Sequence, residues 1–111
     1  MNTYQLILNT CPDSVTAETI ATLLVDNELA ACVNILPGIR SVYHWQGQRH
    51  IETEQLLLIK SCASAYADIE TTIRAHHPYE LPEIIAISID KGLPEYLAWI
   101  HQQSHRKGLG E

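Results

Sequence analysis

Hydrophobic residues fall into two rhythms along this chain, one of period two and one of period three to four, and the switches between them mark the elements. Tyr4-Gln5-Leu6-Ile7-Leu8-Asn9-Thr10 is apolar and partly β-branched, which predicts a first strand. Pro12-Asp13-Ser14 then supplies turn chemistry and a helix N-cap candidate. Ala17, Ile20, Ala21 and Leu24 recur at i, i+3, i+4 and i+7, a helical stripe reaching about Asn27. Ala31-Cys32-Val33-Asn34-Ile35-Leu36 predicts a second strand, interrupted at Pro37-Gly38 and resumed through Arg40-Ser41-Val42-Tyr43-His44-Trp45. Gln46-Gly47-Gln48 reads as a hairpin turn, since glycine tolerates positive φ. The return strand covers about residues 49–61. One of its faces carries Glu52, Glu54, Leu56, Leu58 and Lys60; the other carries Ile51, Thr53, Gln55, Leu57 and Ile59.

A second helix is expected from Ser64, with Tyr66, Ile69 and Ile73 as its stripe, ending before Pro78. Ile84-Ile85-Ala86-Ile87-Ser88-Ile89 is apolar on both parities, which predicts a central strand covered on both faces. Leu93-Pro94-Glu95 opens a last helix with Pro94 at N1, and Tyr96, Trp99 and Ile100 form its expected inner face. From Ser104 onward a loose tail is expected. The order β-α-β-β-α-β plus a terminal helix predicts an α+β fold, the ferredoxin-like split βαβ sandwich with helices on one face of an antiparallel sheet. At 111 residues the chain, 1–111, is one domain.

The hairpin is too long for such a domain. A globule of this size has a diameter of roughly 34 Å, whereas residues 31–45 fully extended reach ~45–50 Å. The hairpin must bend, with Pro37-Gly38 as the natural bulge, or project beyond the fold. Projection leaves Val42, Tyr43 and Trp45 wet and two strand edges unpaired. The expected resolution is a homo-oligomer of closed symmetry, held by pairing between subunits.

Charge narrows the partners. The net charge is −6 and the only basic cluster is His105-Arg106-Lys107, which argues against nucleic acid and favours cations. Three widely spaced cysteines without a CxxC argue against a disulfide framework and a thiolate zinc site. No signal-like start and no apolar run of membrane length is present, so the expectation is a cytoplasmic protein with no membrane partner. Five Tyr and two Trp without any Phe suit half-wet surfaces, or else replace Phe in the core.

Candidate chemistry concentrates in His76-His77-Pro78-Tyr79-Glu80-Leu81-Pro82-Glu83, a junction between a helix and a strand. The two imidazoles are candidate metal ligands, although neighbouring helical residues point about 100° apart. Pro78 pushes His77 out of the α region. The structural alternative is that they bond the free carbonyls of the helix end, with His76 continuing the stripe into the core. A second group comprises Glu52, Glu54 and Lys60 with Tyr79, Glu80 and Glu83, a possible cleft between subunits; the alternative is a solvated face of ordinary ion pairs. Trp45 and Tyr79 suit either a small-molecule pocket or interface packing. No catalytic triad, Cys-His spacing or glycine-rich phosphate loop is evident, so an enzyme is not expected.

Several runs, in order and spacing, are similar to those of the CutA divalent-cation tolerance proteins. They are Thr10-Cys11-Pro12-Asp13, Leu29-Ala30-Ala31-Cys32-Val33-Asn34, Tyr43-His44-Trp45-Gln46-Gly47, the stretch 52–60, the His76–Glu83 corner, and Tyr96-Leu97-Ala98-Trp99. The resemblance implies a ferredoxin-like subunit in a homotrimer that looks like the nitrogen-regulatory signal proteins, located in the cytoplasm. It implies a role in tolerance of copper and other divalent cations, with Cu(II) or a similar ion as ligand; no organic cofactor is evident from the sequence. It carries metal ligation to His76 and His77, while Asn9 stands where copper-binding members have a first-strand Cys. A second reading is a trimeric signalling module that binds a metabolite in clefts between subunits near Trp45, Glu52, Lys60, Tyr79 and Glu83.

Overall fold

The chain runs β1 (Tyr4–Cys11), α1 (Ser14–Asp26), β2 (Cys32–Trp45), β3 (Gln48–Cys62), a 3₁₀ turn (Ala63–Ala65), α2 (Tyr66–His76), β4 (Ile84–Ile89) and α3 (Pro94–Gln103), in a computed structural model that describes residues 4–104. The strands form one antiparallel sheet in the order β2-β3-β1-β4, as the ferredoxin-like expectation requires. Asp13 caps α1 by accepting the Thr16 amide at 2.8 Å, and the expected stripe Ala17, Ile20, Ala21 and Leu24 is buried. Ile69 and Ile73 of α2 meet it from the same side, over Ile7, Leu57 and Ile59 of the two inner strands. One sheet face is therefore sealed by helices.

β4 is not a central strand. It lies at the sheet edge, paired only to β1, and Ile85 and Ile87 are 50% and 49% exposed. Its apolar residues on both parities do not reflect burial within the chain: α1 and α2 cover the opposite face of the sheet, and on this face α3 meets the Lys60–Cys62 end of β3 while Ile85 and Ile87 stay open. α3 departs from expectation in the same way: Ile100 is buried, but Tyr96 and Trp99 are exposed, their rings 5.4 Å apart. The second helix also begins later than expected, Ser64 lying within the 3₁₀ turn. Ser104 closes α3 and is buried, hydrogen-bonded to the Ile100 carbonyl. The remainder of the expected tail, 105–111, lies outside the described residues.

Cross-strand register sets out what the other face carries. Successive rows across the sheet are Leu36, Leu56 and Thr10; Asn34, Leu58, Leu8 and Ile85; then Cys32, Lys60, Leu6 and Ile87. Seven of these are Leu or Ile, on the face opposite the one that α1 and α2 pack against.

The hairpin both bulges and projects. A register shift falls between Leu36 and Ile39, with Gly38 at φ +75°. The strands nonetheless run 14 and 15 residues, against about 5–6 in an ordinary strand. Gln46 and Gly47 both take positive φ, the geometry of a two-residue primed turn whose twist matches the strands. The subunit is elongated to 44 × 28 × 22 Å as a result.

Candidate functional site

The corner between α2 and β4 is fastened to the sheet by three long-range hydrogen bonds. Asn9 donates its side-chain amide to the Glu83 carbonyl at 2.8 Å. His77 Nε2 meets the Thr10 carbonyl at 2.7 Å, and the Tyr79 hydroxyl donates to Glu54 Oε2, also at 2.7 Å. The Tyr79 amide donates to His77 Nδ1 at 3.1 Å, and the two rings lie 4.7 Å apart. Because a carbonyl can only accept and an amide N–H only donate, the His77 ring is fixed with its proton on Nε2 and its lone pair on Nδ1. Both nitrogens are engaged.

His76 and His77 do not converge. Pro78 turns His77 to φ −96°, ψ 136°, and the ring swings inward until it is 9% exposed. His76, expected to continue the helical stripe, is exposed instead. Its Nδ1 lies 2.9 Å from the Thr72 carbonyl, a bond to the last turn of α2 that leaves Nε2 as the nitrogen a cation can reach. As placed, the pair does not fit a chelate, and among the described residues no three His, Cys, Asp or Glu side chains gather around a metal position. Asn9 is wholly buried: its carbonyl oxygen accepts from the Cys11 thiol at 3.4 Å while its amide holds the corner.

Above the corner, where the hairpin leaves the domain, is a cleft of about 930 Å³. Tyr43, Trp45 and Tyr79 give it aromatic walls, and Glu54, Glu80 and Glu83 give it acids, with no Lys or Arg among the lining residues. Glu54 is only 5% exposed, in the row that continues Leu56 and Leu58. The structure thus brings Trp45, Tyr79 and Glu83 together and adds Thr10, Ser41 and Tyr43. It does not bring in Glu52, which faces His50 at 4.0 Å, or Lys60. Lys60 lies six residues from Glu54 on β3, about 20 Å along the strand, where its ammonium reaches the Tyr96 hydroxyl at 3.4 Å. An acid on the same strand face as Leu56 and Leu58 is the signal that points to the Glu54–Tyr79 bond. Thr10 and Ser41 had none.

The protonation of the buried groups follows this packing. Burial, and then the Glu54 hydrogen bond and charge, push the Tyr79 hydroxyl well above its ordinary range. Burial, aided by Asp13 and Glu54, raises the Cys11 thiol from 9.0 to about 11. For an acid held protonated in this way, the stabilisation is complete below the unfolded pKa and disappears as pH rises to the folded one. The fold should therefore lose stability through Cys11 as pH rises between about 9 and about 11. Urea midpoints across that window should fall, and Cys11→Ala should flatten the fall.

The family described as CutA1 divalent ion tolerance protein matches residues 5–103. The chain belongs to the CutA1 family. It is 43% identical over 100 residues to the divalent-cation tolerance protein CutA of Thermus thermophilus, covering 90% of this chain and 97% of that one. It is 42% identical to mouse protein CutA over 93 residues, where it spans only 52% of the longer relative. The crystal structure of CutA from Xylella fastidiosa superposes with a TM-score of 0.88 at 48% identity, over 90% of this chain and 96% of that one. These family names describe tolerance of ions and not a catalysed reaction.

Proposed function

We propose that this family member acts without catalysis, as a cytoplasmic homotrimer that contributes to tolerance of copper and other divalent cations. The observation that carries the assembly is the open sheet face, where Leu36, Ile85 and Ile87 are exposed beside half-buried Leu6, Leu8, Leu56 and Leu58. A contiguous apolar face of this kind marks an interaction surface. The projecting hairpin, with Val42, Tyr43, Trp45 and Ile51 exposed, gives a second copy somewhere to hold. Three is the number that the family resemblance implies. In this reading cations meet the surface weakly, and His76 Nε2 is the first contact at the corner; ligation by His77 requires release of the Thr10 or Tyr79 hydrogen bond.

A second reading is favoured by the aromatic and acidic cleft: a signalling module that holds a metabolite there, completed by a neighbour's Lys60 and Glu52. A volume of about 930 Å³ suits a small organic ligand. Cu(II) titration of wild type and His76→Ala tests the first reading, which expects binding to weaken in the variant. Mass measurement of the freshly purified native assembly tests the second, which expects a retained small molecule. Cu(II) binding unchanged by His76→Ala overturns the role of the corner.

A further inference from the structure

The acids of the cleft above the corner have no countercharge. Glu54, Glu80 and Glu83 line it without any Lys or Arg, and among the described residues none of the three is in an ion pair. Glu54 is the informative one, because it is only 5% exposed. One of its carboxylate oxygens accepts from the Tyr79 hydroxyl, and among the described residues nothing donates to the other. A carboxylate this deep is costly to leave without a second donor and a positive partner. A metal ion does not suit it, since among the described residues no three His, Cys, Asp or Glu side chains gather around one position. The partner has to bring its own hydrogen-bond donors and fill more of the cleft than an ion does.

Aromatic rings supply the rest of the site. Tyr43 and Trp45 share one parity of β2, and Tyr79 comes from the corner. Each tyrosine is braced. Tyr43 stacks on His50 with ring centroids 5.4 Å apart and planes 15° apart, and Tyr79 lies 4.7 Å from the His77 ring. An aromatic face attracts a cation within about 6 Å of its centre. We infer that the cleft takes a protonated organic amine, with its ammonium on Glu54 and its apolar body among Tyr43, Trp45 and Tyr79. An alkylammonium offers up to three N–H donors and accepts nothing, which matches a lining of carboxylates without bases. Its bond to Glu54 is charge-assisted. Glu80 and Glu83, both exposed, add the negative potential that draws a cation in. A volume of about 930 Å³ leaves room for an aryl or branched alkyl body. Asn9 and His77 already fasten the corner, so the wall that carries Tyr79 needs little ordering on binding. The inference rests on the metabolite reading and names the chemical class of that metabolite; the tolerance reading does not depend on it.

The test uses the native wild-type assembly in chelator-treated buffer, because the hairpin that walls the cleft is also where a second copy holds. The probes are 2-phenylethylamine, 2-phenylethanol and phenylacetate, one aryl body carrying a positive, a neutral and a negative group. Calorimetric titration should show saturable binding of one amine per chain, with the alcohol weaker by at least about tenfold and phenylacetate weaker still. Glu54→Gln should weaken the amine by at least about tenfold and Trp45→Leu by about fivefold, while His76→Ala should leave its affinity unchanged. An alcohol that binds as well as the amine reduces the cleft to an apolar pocket and overturns the inference. So do tighter binding of phenylacetate, an amine affinity unmoved by both cleft variants, and absence of amine binding. A retained native ligand that is neutral or anionic overturns it while leaving the metabolite reading intact. Lack of any retained small molecule, together with no binding of any probe, removes both. The comparison of probes needs no variant, so a folding defect in Glu54→Gln does not blunt the test.

Discussion

Replacing Ile87 by glutamate should break the assembly into single chains while each chain stays folded. Ile87 is half exposed on an edge strand, and a surface change of that kind alters the stability of an isolated subunit by about 0.5 kcal/mol or less. In the proposed trimer the same position is buried against a neighbour, in the row it shares with Leu6 and Lys60. Closed symmetry repeats each substitution in every copy. Each carboxylate left unpaired in a dry interface costs several kcal/mol, so the combined effect exceeds what an assembly of this size can absorb. Sedimentation velocity should show the wild-type species replaced by one of single-chain mass, with an unchanged circular dichroism spectrum. Loss of the spectrum together with the assembly would mean that Ile87 supports the subunit itself.

His77→Ala should destabilise the protein by about 3–5 kcal/mol, whereas His76→Ala should cost about 1 kcal/mol or less. The difference follows from position. Removing the His77 ring leaves the Thr10 carbonyl and the Tyr79 amide without partners in a largely buried corner, each worth about 1–3 kcal/mol, and opens a cavity beside Tyr79. Removing His76 deletes one exposed bond to the end of α2. Denaturant midpoints of the metal-free proteins separate the two effects. Equal, small losses would show that His77 carries little of the fold and is free to serve another purpose.

The helices were legible because their stripes have one explanation. Ala17, Ile20, Ala21 and Leu24, or Ile69 and Ile73, can be buried only as a helical face, and they are. The hairpin was legible through Gly38 and Gly47, where positive φ marks a bulge and a turn. β4 was not, because a run of isoleucines records that both faces meet apolar surroundings but not whose. Tyr96 and Trp99 pose the same ambiguity. At the corner, adjacent histidines announce a site, but which ring turns inward depends on the path after Pro78, and that path is fixed by Thr10, Glu54 and Asn9 from distant strands.

Assembly follows from one property of the subunit: an apolar sheet face and an overlong hairpin that the chain does not cover by itself. The native mass of the wild-type protein at low micromolar concentration measures this directly. A single species at three times the 12.5 kDa chain mass is the predicted result. A stable, soluble species at the mass of one chain would contradict it.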